Sequence, residues 1–182
     1  TRVVDTAESK DNINKAYNLI STSKVRNEMI IDDVITCVAR KQTPVILTRF
    51  KEHAKFLHDA LKEKADHVFL LYGDNSDKEN AEIRVKLKQI PENESLILVA
   101  TGQKIGEGFD FPRLDVLMLA APVSFEGRLE QYVGRLNRDY VGKEAVYVYD
   151  YIDSHVRYFD KMYAKRLRTY RKMGFSIWTQ EL

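Results

Sequence analysis

One cysteine in 182 residues, Cys37, leaves no partner for an internal disulfide. Its neighbours Val34, Ile35 and Val38 are apolar, so a buried thiol on a helix and a cytoplasmic setting are expected. The four histidines (His53, His58, His67 and His155) have no metal-ligand spacing, and no structural zinc is expected. No run of about 18 consecutive apolar residues occurs, which excludes a membrane-spanning helix of that kind. The opening stretch TRVVDTAESK is polar, lacks an initiating Met and has no apolar signal core; it is expected to begin a piece of a longer protein. A phosphate loop of the form G-x-x-x-x-G-K-[ST] is also missing.

What is present is an ordinary globular mix, 44% hydrophobic and 31% charged, at a length suited to one domain. Formal charge is close to balance at +2, but its distribution is uneven. Between His155 and Gly174 seven basic residues (Arg157, Lys161, Lys165, Arg166, Arg168, Arg171 and Lys172) face one acidic residue, Asp160. Such an excess serves nucleic-acid phosphates or forms a solvated helix face, and by itself favours neither.

Five short apolar runs read as strands: PVILT (44–48), HVFLLYG (67–73), SLILVAT (95–101), DVLMLAAP (115–122) and AVYVYDY (145–151). Four are almost continuously apolar, as in a parallel sheet covered on both faces, and the tyrosine-alternating fifth is expected at an edge. Amphipathic segments lie between them. Lys51–Lys64 carries Ala54, Leu57 and Leu61, and Asp77–Gln89 carries Ala81, Ile83, Val85 and Leu87. Phe125–Arg138 carries Leu129, Tyr132, Val133 and Leu136. A further helix, Lys24–Arg40, has Val25, Met29, Val34 and Val38 at helical spacing and Ser23 as its N-cap. This alternation predicts an α/β fold with a doubly wound, mainly parallel sheet flanked by helices. Residues 1–22 are expected to be a lead-in, 23–153 the α/β domain, and 154–182 a basic helical extension. In that extension Val156, Phe159, Tyr163, Leu167 and Tyr170 form an apolar stripe.

Ligands of an open parallel sheet bind at the carboxyl ends of its strands. Two segments there invite chemistry. In QYVGRLNR, Gln131, Arg135 and Arg138 fall within a narrow arc at about 100° per residue. Leu129, Val133 and Leu136 lie opposite, for burial on the sheet. The arginines either share an anion or have carboxylate partners, Arg135 pairing with Asp139 in the simplest case. In ATGQKIGEGFDFP (100–112), Glu107 and Asp110 would repel a triphosphate, so the loop is not expected to wrap one. Thr101 and Gly102 are suited to a single phosphate, and Asp110 to a ribose hydroxyl or an arginine. Taken alone the loop favours a plain glycine-rich turn needing φ > 0.

In order, PVILTRFKEHAKFL, LYGDN, ILVATGQKIGEGFDFPRLDVLMLAAP and QYVGRLNR resemble motifs IV, V and VI of the second RecA-like lobe of superfamily 2 helicases. IGEGFDFPRLDVL and GRLEQYVGRLNR, followed by YVYDYID and a basic tail, are similar to bacterial DEAD/DEAH-box helicases related to the Res subunit of type III restriction enzymes. The resemblance implies a RecA-like fold. It implies that Arg135 and Arg138 reach the γ-phosphate of ATP held by a first lobe, with Gln131 ordering that face. It places Glu107, Gly108 and Asp110 beside the nucleotide, and Thr101, Gly102, Thr48, Arg49 and Gly73 along a nucleic-acid strand. Gln131 stands where RNA helicases of the family carry His-Arg, which leans toward DNA rather than RNA. No D-E-x-[DH] box is present. Mg²⁺ and most ATP contacts are therefore expected from a first lobe of the same chain, and this piece alone is expected to hydrolyse no ATP. A fused or associated nuclease or methyltransferase would suit such a parent. The competing readings are a non-catalytic nucleic-acid-binding or interaction module and an unrelated dinucleotide enzyme; the latter would need a phosphate loop that the sequence lacks.

Overall fold

The computed structural model describes residues 10–73, 75–102, 110–123 and 126–179. In chain order the elements are α1 (Lys10–Thr22), α2 (Lys24–Ala39), β1 (Pro44–Thr48), α3 (Lys51–Leu61), β2 (His67–Leu71) and α4 (Asp77–Gln89). They continue with β3 (Leu96–Thr101), β4 (Val116–Leu119), α5 (Glu126–Leu136), β5 (Tyr147–Asp150) and α6 (Arg157–Lys172). The strands form one parallel sheet in the order β2-β3-β1-β4-β5. Among the described residues no helix is long and apolar enough to cross a membrane.

Alternation along each strand sends side chains to opposite faces. On one face Ile46, Ile97, Val99, Val116 and Met118 meet Ile30, Val34 and Cys37 of α2 and Ala54, Leu57 and Leu61 of α3. On the other, Val45, Leu47, Leu98, Leu117 and Leu119 meet Leu87 of α4, Leu129, Val133 and Leu136 of α5, and Tyr170 of α6. Double coverage explains why β1, β3 and β4 are buried at every position and apolar throughout except for the terminal Thr48 and Thr101. β5 lies at one edge, as its alternating tyrosines predict. β2 lies at the other edge, yet α3 and α4 both pack on it, so its sequence reads like that of an interior strand.

The helix faces differ from the simple periodic reading in three places. α2 buries Arg26, Asn27, Ile30, Val34 and Cys37, while Val25 is 72% exposed. α4 buries Asn80 and Leu87 and leaves Ala81 and Val85 outside, because a capping box between Ser76 and Glu79 sets its entry. α6 buries Phe159, Met162, Arg166, Thr169 and Tyr170, and Tyr163 and Leu167 sit at the margin.

α1 has no counterpart in the sequence reading. Its Ala16, Tyr17 and Ile20 pack with Ala121 and with Val156, Phe159 and Met162 around α6, a third apolar cluster at the carboxyl edge of the sheet. The spacing Ile13, Ala16, Tyr17, Ile20 is the signal that announces it.

The strand read over 115–122 ends at Leu119 for a specific reason. The carbonyls that follow are taken by side chains instead of a ladder. Arg26 Nη1 donates to Ala120 O at 2.7 Å, Tyr17 Oη to Pro122 O at 2.8 Å, and Arg166 Nη1 to Val123 O at 3.1 Å. Both guanidiniums are also locked in forked pairs: Arg26 Nε and Nη2 on Asp153 (2.9 and 3.1 Å), Arg166 Nε and Nη2 on Asp150 (2.7 and 2.8 Å). Tyr170 Oη donates to the same Asp150 at 2.8 Å. Arg166 therefore leaves the basic surface with which the sequence grouped it, since a buried guanidinium needs a carboxylate.

A buried pair broken from one side leaves an unmet charge. Asp150→Ala is expected to lower the unfolding free energy by about 3–5 kcal/mol, whereas Asp150→Leu combined with Arg166→Met recovers most of that loss. Urea unfolding of the three proteins checks this; equal losses in single and double variants would contradict it.

Candidate functional site

The carboxyl ends of β1, β3 and β4 form one rim. Thr48 and Thr101 are register partners there and are only 4% and 8% exposed. Thr48 Oγ1 lies 2.7 Å from His53 Nδ1, and His53 Nε2 lies 2.9 Å from Asn27 Oδ1. Asn27 Nδ2 donates to Ser21 O at 2.9 Å, which orients the amide and leaves Oδ1 facing the ring. An amide oxygen only accepts, so Nε2 carries the proton, Nδ1 accepts, and the Thr48 hydroxyl donates. The chain Thr48–His53–Asn27 thus ties β1 to α3 and α2 and turns the Thr48 hydroxyl inward. Burial, helped by Arg26, pushes His53 down from 6.5 to about 4. Asn27 and His53 also line an open cavity of about 1100 Å³ between α1, α2 and α3, on the side away from Thr48.

What β1 presents outward is Arg49, exposed, with its guanidinium 4.5 Å from the centre of the Tyr17 ring. Gly73 stands exposed after β2, where an added Cβ would meet Lys51 Cε at 3.2 Å.

Gly102 makes the tightest approach. Tyr132 Oη, from the second turn of α5, donates to Gly102 O at 2.8 Å, and a Cβ on Gly102 would fall 2.9 Å from that oxygen. Only glycine fits without displacing the tyrosine. The strand-end rim and α5 are therefore in direct contact, one helical turn before Arg135.

α5 buries Leu129, Tyr132, Val133 and Leu136, which leaves Gln131 exposed and Arg135 half-buried on the other face. The helix stops at Leu136, so Arg138 lies just beyond it. Arg138 Nη1 donates to Asp110 Oδ2 at 2.6 Å. Both side chains are about half exposed, so the pair contributes little to stability and acts mainly on position. Of the two uses the sequence allowed Asp110, orienting an arginine is the one seen here. Lys143 fastens the same corner: Nζ donates to Leu136 O at 2.7 Å, to Arg138 O at 3.0 Å, and to Pro112 O. One ammonium thus caps α5 and joins it to the segment carrying Asp110. Glu107 and Gly108 lie outside the described residues.

The arrangement brings Thr48, Arg49, Thr101 and Gly102 together at the rim, and Asp110 with Arg138 at the far end of α5. Gln131 and Arg135 lie between these two groups along the helix. Guanidiniums fixed in this way suit planar, forked binding of phosphate oxygens. Among the described residues no group of three or more His, Cys, Asp or Glu is arranged to hold a metal ion. Tyr132 and Lys143 are the residues that sequence reasoning missed. Tyr132 read as one more apolar position, and nothing local marks its hydroxyl; Lys143 works through backbone carbonyls, which leave no sequence pattern.

Two expectations follow from these contacts. Gly102→Ala should destabilise by about 1–3 kcal/mol through overpacking. Tyr132→Phe in the same chain should return part of that loss, a coupling that urea unfolding of the double-mutant cycle resolves. For His53 the folded pKa lies below the unfolded one, so its contribution is complete above pH 6.5 and is lost as pH falls toward 4. Between pH 7.5 and 5 the protein should lose about 2 kcal/mol more than His53→Gln does; equal pH dependence in the two would contradict the assignment.

Comparison with known proteins agrees with this geometry. Residues 26–139 match the family model described as the helicase conserved C-terminal domain. A transcript termination protein of Yaba-like disease virus is 32% identical over 120 residues, 65% of this chain and 24% of its own length. The chain thus spans about a quarter of the length of that curated relative. Among solved structures, T4 UvsW superposes with a TM-score of 0.70 at 22% identity, covering 87% of this chain and 35% of that one. Domain 2 of the DEAD-box helicase Mss116p, in a structure bound to an RNA duplex, gives 0.54 at 22% identity, covering 73% and 49%. With more than half of its residues matched and the lobe's five-stranded parallel fold in place, this chain belongs to the helicase conserved C-terminal domain family.

Proposed function

We propose that this chain is the second motor lobe of an ATP-dependent nucleic-acid translocase or helicase. In this reading Arg135 and Arg138 serve ATP bound on a first lobe, and the strand-end rim holds a nucleic-acid backbone. The observation that carries it is the contact of Tyr132 with Gly102, because it joins the two ends mechanically. Tyr132, which touches the rim at Gly102, and Arg135 share α5, and Arg138 follows directly after its last residue, so a shift of α5 bears on both.

The roles follow from the placement. Arg138, oriented by Asp110, and Arg135, one turn behind it, offer guanidinium donors to the terminal phosphate as the lobes close. Gln131 extends the same face, and Glu107 and Gly108 belong to the segment that leads to Asp110. Loss of the terminal phosphate removes the anion that held the arginines, and the cleft opens. At the rim, Arg49, Gly73, Thr101 and Gly102 take the strand backbone. Thr48 acts there through its backbone and by fixing the turn, since its hydroxyl is committed to His53. Contacts of this kind ignore sequence and weaken with salt.

Mg²⁺ chemistry belongs to the first lobe in this reading, consistent with Asp110 being engaged by Arg138. The strand is proposed to be DNA, on the strength of Gln131 at the head of QYVGRLNR. The narrower likeness to Res subunits of type III restriction enzymes, and with it a nuclease or methyltransferase partner, rests on IGEGFDFPRLDVL and GRLEQYVGRLNR alone.

The test uses the parent protein with its first lobe. Arg135→Ala and Arg138→Ala should each lower DNA-stimulated ATP turnover by about 10³-fold or more, the range for arginines that stabilise phosphoryl-transfer charge. Turnover unchanged in both, with DNA binding retained, would leave only a non-catalytic binding module.

A further inference from the structure

The chain's positive charge is concentrated on one helix. Residues 157–172 carry seven basic side chains and one acidic, a net of plus six, so a chain of net plus two is minus four everywhere else. With Arg166 buried on Asp150, the others divide by direction. At 100° per residue, Arg157, Lys161, Lys165, Arg168 and Lys172 fall within an arc of about 80° and run about 22 Å along α6. All five are exposed. Asp160, the helix's one acidic residue, lies outside that arc.

Two further features separate this stripe from an ordinary solvated face. First, it is rigid. The forked Arg166–Asp150 pair, Tyr170 on the same carboxylate, and Phe159 and Met162 in the apolar cluster fix the rotation of α6 about its axis. The cations therefore keep a constant direction, and less ordering is required when a row of anions meets them. Second, the helix that carries it is anchored at the rim. The Tyr17 ring carries the Arg49 guanidinium and packs edge-on against Phe159, in the first turn of α6, with centroids 4.8 Å apart. Tyr17 thus joins the rim cation to the first turn of α6 through that helix's buried face, opposite the stripe. At the far end of the stripe Lys172 meets Glu130 at 3.0 Å with both exposed, a pair weak enough to exchange for phosphate.

We infer that the α6 stripe is a second nucleic-acid site, binding the phosphodiester backbone of a strand or duplex that continues past the strand-end rim. It deepens the motor-lobe reading and rests on that reading for the class of ligand. The stripe supplies grip without sequence preference. Its cations are spaced by three or four residues, about 5–6 Å along the axis, and take successive phosphates as a row of point charges.

The experiment uses the 182-residue chain with labelled 20-nucleotide single-stranded and 20-base-pair duplex DNA. Anisotropy is followed across a salt series, with far-UV circular dichroism as the check on folding. Lys161→Gln, Lys165→Gln and Arg168→Gln together should weaken binding by about tenfold or more near 100 mM salt. They should also lower the slope of log K against log salt by about 2–3. The control triple Lys55→Gln, Lys62→Gln and Lys64→Gln removes equal charge from exposed positions on and after α3 and should change neither. Unchanged affinity and slope in the α6 triple would overturn the inference, as would an equal loss in the control. Binding to anionic vesicles without binding to either DNA would also overturn it, as would no DNA binding by the unaltered chain. Arg49→Ala separates this inference from the motor-lobe reading. If it weakens binding while the α6 triple does not, the rim stands and the stripe falls; the opposite pattern keeps the stripe and removes Arg49 from the rim.

Discussion

The carbonyls of Ala120, Pro122 and Val123 are the point on which this lobe turns. Three side chains from three helices, Arg26 of α2, Tyr17 of α1 and Arg166 of α6, donate to them. The segment thereby leaves the sheet after the four residues of β4. Ala120 and Pro122 are buried, so their carbonyls depend on these donors, while Val123 is only partly buried. Two of the three are guanidiniums, and each costs desolvation unless a carboxylate shares its burial. Asp153 and Asp150 meet that requirement from either side of the β5 terminus, and so the position of α5 is tied to the end of β5.

From that anchor the rest of the site follows. α5 leaves the connector with its apolar side on the sheet, which brings the Tyr132 hydroxyl to the Gly102 carbonyl. Its last turn is closed by Lys143, whose ammonium also holds Pro112, two residues past Asp110. The helix is thus pinned at entry, middle and exit, by contacts of different strength. The entry is buried and costly to break. The Asp110–Arg138 contact at the exit is half exposed and weak, which suits the exchange of partners that the proposed function asks of Arg138. A stiff helix with one firm and one exchangeable end is the mechanical element that the proposed coupling needs.

Much of the sheet and the outline of the site were legible in the residues. Strands covered on both faces show as unbroken apolar runs, and α3 and α5 show their buried faces at spacings of three and four. QYVGRLNR put Gln131 and Arg135 on the face away from the sheet, with Arg138 just past the helix, and Asp110, open between a ribose hydroxyl and an arginine, meets Arg138. Three things did not show. α1 was passed over because its stripe is short and lies in a polar stretch. Arg166 read as surface because a basic residue among basic residues gives no hint of a carboxylate sixteen positions earlier. Thr48 read as strand-facing, although its hydroxyl points inward to a histidine five residues on.

The division has a physical basis. Periodic burial, turn chemistry and charge runs are local, so the amino-acid sequence alone determined the doubly wound architecture and the helix that carries Arg135. It also determined that positive charge gathers near the C-terminal end. The two buried ion pairs, Arg166–Asp150 and Arg26–Asp153, join residues 16 and 127 positions apart. Such partners are chosen by which atoms the finished packing brings within hydrogen-bond reach. Tertiary structure alone therefore decided where β4 ends, which arginines leave the surface, why position 102 must be glycine, and which way the cations of α6 face.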